Sequence, residues 1–311
     1  MLETGNDGGA SPTPVFPPGK PSAWESVFLG PQGIRTGWRI ALFIALFIFF
    51  FATLQFAGTL LHLPVPHLGQ ITPDQLLIQE IMMCIAVVAA TIAMSRIEAR
   101  PFGDYGMPLR GALRGRFWQG AAWGLAQITL LILLIAALGG YSFGGLALRG
   151  AGVLRYALLW AAAFFLVAVF EEFVFRGYLQ FTLASAIHFW PAAALTSLGF
   201  GAVHLANPGE RPVGAVSVFV VGMFLCLTLR RTGNLWFAIG WHTAFNFGQT
   251  YLYAVPNSGI VMQGQLLGAS LDGPAWLTGG TVGPEGSALS FVVVALAFVI
   301  FSRVYRQHSP S

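Results

Sequence analysis

The sequence predicts an all-α, polytopic membrane protein: a bundle of about eight transmembrane helices around an intramembrane polar cavity. Three observations carry this. The 311 residues are 56% hydrophobic and only 9% charged, whereas soluble domains run near 25% charged. Apolar runs long enough to cross a bilayer recur along the chain. Inside one of them, after the nearly unbroken apolar stretch from Val153 to Phe170, stands Glu171-Glu172-Phe173-Val174-Phe175-Arg176. Ionised groups at bilayer depth cost about 2.5–3.5 kcal/mol each on insertion scales, so three together require partners.

In chain order, residues 1–22 are a disordered tail by composition. Residues 23–37 carry Trp24, Phe28, Leu29 and Arg35 ahead of Trp38, and read as an interfacial lead-in, since amphipathic aromatics favour headgroup level. The transmembrane domain follows at 38–306, with spans expected at 38–61, 76–95, 117–139, 153–176, 191–206, 213–229, 235–254 and 289–305, and a short tail at 307–311. The segment at 191–206 is short and contains glycines, so it is tilted or shielded from lipid by its neighbours. The first 37 residues hold no short apolar core ahead of a small-residue cleavage site, so no cleavable signal peptide is expected.

Charge sets the expected orientation. Arg35 and Arg39 precede the first span, and Arg96, Arg100, Arg110, Arg114 and Arg116 sit around the second connection. Arg230 and Arg231 follow the sixth span, and Arg303 and Arg306 end the chain. Residues 62–75 and 255–288 carry no Lys or Arg, 140–152 has only Arg149 and 207–212 only Arg211. The alternation predicts an inner-membrane, multi-pass protein with both termini cytoplasmic. The net charge of +4 lies in these loops and reads as topology, with no nucleic-acid partner. Cys84 and Cys226 lie in apolar runs and are expected as reduced, packed thiols.

Polar residues fall in three of the spans. In Glu171-Glu172-x-x-x-Arg176 the two acids lie about 100° apart on a helix. Glu172 stands four residues before Arg176, the favourable order for an ion pair. Glu171 then faces elsewhere and is left for chemistry. The competing reading is a buried ion-pair cluster that only fixes packing. The second group is Phe200-x-x-x-His204, where Phe200 stacks over the turn that presents His204; alone it fits a structural histidine equally well. The third is His242-x-x-x-Asn246, two polar groups on one helical face, with Gly240, Ala244 and Gly248 permitting close approach of a neighbouring helix. Elsewhere, His62 and His67 read as loop residues, His188 as interfacial, Glu285 as a surface or hairpin residue in a Gly-rich turn, and Asn234 as the N-cap of the seventh span. Glu80 fits a cavity wall and the interface alike.

These three motifs, in this order on successive spans, resemble the CPBP intramembrane protease family, which includes CAAX prenyl endopeptidases of the Rce1 type and the bacterial Abi proteins. All three are matched without departure, and the stretches FLGPQGIRTGWR and LTGGTVGPEGSALS are also similar to bacterial members. The resemblance implies an eight-helix bundle whose site opens toward the cytoplasmic side. It makes Glu171 the catalytic carboxylate, with Glu172 and Arg176 in support and His204, His242 and Asn246 lining the same cavity. Two chemistries fit. In the first, no metal is required: Glu171 and His204 hold and deprotonate water, while His242 and Asn246 donate to the oxyanion. In the second, His204, His242 and Glu171 or Glu172 bind zinc; the soluble-protease signature H-E-x-x-H is absent, and the metal-free version is favoured. His204 sits near the far end of a short segment. Either segment 4 continues past Arg176 through Leu183, or segment 5 is displaced in depth.

The function expected is therefore an intramembrane endopeptidase that uses a glutamate-activated water on a peptide or protein substrate, lipidated or not. A non-proteolytic scaffold or regulatory binding protein with the same cavity is the alternative from another class. A proton-coupled transporter also uses intramembrane carboxylates, but the chain shows no inverted repeat or paired broken helices.

Overall fold

A computed structural model describes residues 22–30, 33–64 and 70–306. Residues 1–21 of the expected N-terminal tail, His67 and the tail at 307–311 lie outside the described residues. The lead-in forms a short helix, α1 (Ala23–Phe28), and an antiparallel pair, β1 (Leu29–Gly30) with β2 (Gly33–Ile34). It folds back on the first long helix: Trp38 Nε1 donates to the Val27 carbonyl at 3.0 Å and Arg35 Nε to that of Ser26 at 3.0 Å.

Each apolar segment of the sequence coincides with a helix. These are α2 (Thr36–Leu60), α3 (Pro73–Ile97), α4 (Gly115–Ala137), α5 (Ala151–Glu172) running on into α6 (Gln180–Ile187), α7 (Phe189–His204), α8 (Pro212–Thr232), α9 (Trp236–Phe247) and, after the short α10 (Ala275–Thr278), α11 (Ala288–Val304). Against the expected eight spans, five helical runs among the described residues have the length and apolarity to cross a membrane: Thr36–Leu60, Pro73–Ile97, Gly115–Ala137, Ala151–Ile187 and Pro212–Thr232. Ala288–Val304 is apolar but shorter. α7 is limited to 16 residues because the chain turns sharply at His188, whose φ is 69°, and unwinds after His204. α9 is limited to 12 residues and carries His242, Thr243 and Asn246 among its apolar positions. Of the two expectations about depth, the first holds: the fourth segment is one continuous helical run, Ala151–Ile187.

The connections collect at two ends. At one, Arg39 pairs with Glu98, Leu235 N–H donates to the Gly106 carbonyl at 2.9 Å, and the Arg230 guanidinium lies 5.2 Å from the Phe189 ring centre. Burial works against the Glu98 charge, but hydrogen bonds from Arg39 and Tyr178 outweigh it and hold the carboxyl below its usual range. The arginine-poor connections meet at the other end. There β3 (Gln70–Ile71) pairs in parallel with β5 (Val261–Met262), and β4 (Tyr141–Ser142) antiparallel with β6 (Ser270–Leu271). These two-residue pairs are small additions to the all-α expectation. They satisfy backbone groups that a loop over a membrane protein would otherwise leave bare.

The outer faces are apolar. α2 buries Phe43 and Gly58 and exposes Ile44, Ile48, Phe49, Phe56 and Leu60, a stripe that fits lipid and would be costly in water. Inside, α4 and α9 approach to backbone distance. A Cβ at Gly120 or Gly124 would strike the carbonyls of Phe237 and Trp241, and one at Gly240 would strike that of Phe117. Small residues substitute here for the hydrophobic drive that lipid removes. Cys84 and Cys226 are free thiols; Cys226 is fully buried with its Sγ 4.0 Å from Ser197 Oγ, and Cys84 Sγ reaches the Leu166 carbonyl at 3.5 Å. The N-cap of α9 is Leu235, one residue beyond the Asn234 expected there, and the Asn234 side chain accepts from Trp236 N–H at 3.1 Å.

Gly124→Leu should cost about 1–3 kcal/mol, the range of overpacked cores, and lower the thermal unfolding midpoint of the solubilised protein. Ala122→Leu, on the exposed face of the same helix, serves as the control. Equal midpoints for the two variants would contradict the close α4–α9 contact.

Candidate active site

The α5 helix ends in a π-helical stretch, Phe173–Leu179, immediately after the two glutamates. Such i→i+5 turns are rare and recur at functional sites. Glu172 and Arg176 are both fully buried, and Arg176 Nη1 lies 3.3 Å from Glu172 Oε1, the pairing that the spacing predicts. Gly222 of α8 leaves the room that the Arg176 head group occupies; a Cβ there would lie 2.6 Å from its Nη2. The ring of Phe200 covers the guanidinium, its centre 4.1 Å from Cζ, a cation–π contact in a dry site.

Glu172 has a second partner. His242 Nδ1 lies 2.9 Å from the same Glu172 Oε1, and His242 Nε2 lies 3.6 Å from Glu171 Oε2. The histidine thus bridges the two glutamates. The expectation that Glu172 serves Arg176 alone is corrected: its carboxylate also fixes the His242 ring, with Nδ1–H as the donor, because an ionised carboxylate can only accept. The reason is depth. Away from the surface, a buried carboxylate oxygen is shared among the protein donors within reach.

His204 is the last residue of α7 and reaches the level of the glutamates because α5 and α6 continue past Arg176. Its Nδ1 lies 2.7 Å from the Phe200 carbonyl, which only accepts, so Nδ1 carries the proton and Nε2 remains for other partners. The ring of Phe200 meets that of His204 edge-on at 4.6 Å. Glu171, His204 and Asn246 all line one cavity of about 440 Å³, walled by α2, α3, α5, α7 and α9. Glu172 and Arg176 stand behind this wall, and so does His242, which the resemblance placed in the lining: its ring is drawn back to Glu172. Glu80 and Gln79 of α3 form the far side, so Glu80 belongs to the cavity and not to the interface.

Sequence reasoning missed the roof. Asn207, Asn257, Ser258, Ile260 and Met262 complete the cavity, and none of its described lining comes from the arginine-rich connections. It therefore extends toward the arginine-poor end. Glu285 holds this roof. It is 6% exposed, a correction to the surface role expected for it, and accepts from Ser258 N–H and from Gln249 Nε2. Those donors stand in for the water that a turn would normally offer. Asn207 Nδ2 adds a bond to the Ser258 carbonyl at 2.8 Å. An acid set among glycines in a long connection free of Lys and Arg was the available signal. His62 ends α2 in a left-handed turn and His188 joins α6 to α7; neither lines the cavity.

Among the described residues no group of three or more His, Cys, Asp or Glu is arranged to hold a metal. Both histidine Nδ1 atoms are engaged, with the Phe200 carbonyl and with Glu172, which leaves Nε2 as the ring nitrogen that each can offer to a further partner.

Residues 152–248 match the family model described as "Type II CAAX prenyl endopeptidase Rce1-like". The matched segment holds all three motifs, from Glu171 to Asn246. No curated protein and no solved structure matches the chain.

Two outcomes follow from the geometry. Arg176→Leu strands Glu172 in a buried site and should cost about 3–5 kcal/mol, the range for a broken buried pair, read as a drop in the thermal midpoint; a stability equal to wild type would refute the pairing. Burial pushes the Glu285 carboxyl up to about 7 from its ordinary 4.5, against the opposing hydrogen bonds from Ser258 and Gln249. An acid raised in the folded state binds its proton there first, so stability should fall as pH rises from 4.5 to about 7. Glu285→Gln should flatten that slope in a pH series of thermal melts, and a slope unchanged by it would contradict the assignment.

Proposed function

We propose, from the match of residues 152–248 to the Rce1-like family of type II CAAX prenyl endopeptidases, that this chain is an intramembrane endopeptidase whose base is Glu171. The observation that carries the reading is the bridge: His242 reaches both glutamates, one buried against Arg176 and one facing a cavity shared with His204 and Asn246. A packing cluster has no use for the second, cavity-facing carboxylate.

The chemistry needs a water, a base, an oxyanion donor and a proton for the leaving amine. Glu171 takes a proton from a water that also donates to His204 Nε2. The hydroxide adds to the scissile carbonyl carbon, and Asn246 donates to the oxygen as its charge grows, while His242, whose Nδ1–H is committed to Glu172, offers Nε2 to the proton that Glu171 has taken. The C–N bond then breaks, and the proton held between Glu171 and His242 passes to the amine. Glu172 acts through His242, holding its ring by Nδ1. The route needs no metal.

The bundle in this proposal has eight spans, with the short α7 and α9 shielded by their neighbours and α11 closing the fold. Both termini are cytoplasmic and the chain sits in the inner membrane. The substrate is a peptide or protein at the bilayer, lipidated or not, and no nucleic acid takes part.

Glu171→Gln, His204→Ala and His242→Ala should each abolish cleavage while leaving a folded, inserted protein. Asn246→Ala should lower kcat about 10²–10³-fold, the loss typical of one oxyanion donor. The assay is the appearance of a new peptide terminus in membranes that carry wild type and not Glu171→Gln. Normal cleavage by all three variants of the first set would sink the proposal. Metal analysis together with activity after strong chelation tests the metal-free route: full activity without zinc is expected, and loss restored by added zinc would overturn it.

A further inference from the structure

The mechanism leaves one buried acid of the cavity unused. Glu80 of α3 is 5% exposed, lines the same cavity as Glu171, and its Oε2 makes no hydrogen bond among the described residues. The two carboxyl groups are close enough for their charges to interact. Among the described residues no Lys or Arg lines the cavity, and the neutral polar groups on its wall are amides such as Gln79 and Asn257.

A buried carboxyl oxygen without a donor leaves its desolvation uncompensated, and a charged donor compensates it best. A cavity with two carboxyl groups and no fixed cation favours positive charge and disfavours negative charge. A peptide that places its C-terminal carboxylate here would meet two like groups and no basic partner. A Lys or Arg side chain beside the scissile bond would meet Glu80 while its backbone lies against Glu171.

We propose that Glu80 is a specificity-determining residue, and that the substrates of this protein carry a cationic side chain next to the cleaved bond. The inference rests on the endopeptidase reading for its meaning, but its test separates the two. Peptides of one sequence, with each position in turn Lys, norleucine or Glu, are offered to the full-length protein in lipid vesicles. Wild type should prefer Lys over norleucine by at least about tenfold in kcat/KM at one position, a difference of about 1.4 kcal/mol, and should reject Glu there. Glu80→Gln should bring the Lys to norleucine ratio to about one, mainly through KM, which a purely structural role would not do.

Binding supplies the second arm. Fluorescent Lys and norleucine peptides are titrated onto the Glu171→Gln protein, with and without Glu80→Gln. Preference for Lys that vanishes in the double variant supports the cation site, even if wild type cleaves neither peptide, in which case the protease reading alone falls. A ratio near one in wild type, a ratio unmoved by Glu80→Gln, or binding of neither peptide would overturn the cation site.

Discussion

One carboxylate oxygen organises this molecule. Glu172 Oε1 stands 3.3 Å from Arg176 and 2.9 Å from His242, and the Glu172 side chain is fully buried. In a bilayer an isolated charge there would be expelled or neutralised. Held between a guanidinium and an imidazole, it becomes an anchor that ties α5 and its π-helical extension to α9. Gly222 and Phe200 exist in this arrangement to accommodate Arg176, one by leaving space and one by offering a ring face. Close packing of α4 against α9 then fixes the depth of His242 itself. The chemistry depends on that depth, because Glu171 and His242 Nε2 meet only when the helix carrying His242 cannot slide.

The cavity is built from opposite requirements at its two ends. Toward the arginine-rich end lies the ion-paired floor of Glu172, Arg176 and His242. Toward the arginine-poor end lies a roof of loops that must satisfy their own backbone at the edge of the apolar bundle. Short strand pairs do part of this, and Glu285 does the rest by taking the Ser258 amide and the Gln249 side chain. The roof loop also supplies Asn257 and Ser258 to the cavity. Its geometry therefore bears on the site although it lies far in sequence from the three motifs.

The helices were legible because apolar runs and their lengths report the solvent directly. Glu172 with Arg176 was legible from a spacing of four, and the common cavity of Glu171, His204 and Asn246 from the family motifs. Spacing within one helix cannot reveal what two helices do to each other. The second bond of Glu172, to His242, is separated by 70 residues and follows from packing alone. The burial of Glu285 was hidden for a related reason. A glycine-rich turn reads as surface unless the donors that dry it are known, and Ser258 and Gln249 come from a different stretch. Glu80 was left open between wall and interface because one turn of helix decides it. The number of spans was the least legible feature, since α7 and α9 are short and polar in places.

The central claim is that Glu171 activates water and does not itself attack the peptide. A single turnover in H₂¹⁸O, with enzyme in excess over a cleavable peptide, tests it most directly. The account predicts one ¹⁸O in the new C-terminal carboxylate of the product and none in the enzyme peptide that carries Glu171. Label found in the Glu171 side chain, with an unlabelled product, would mean a covalent acyl intermediate and would contradict it.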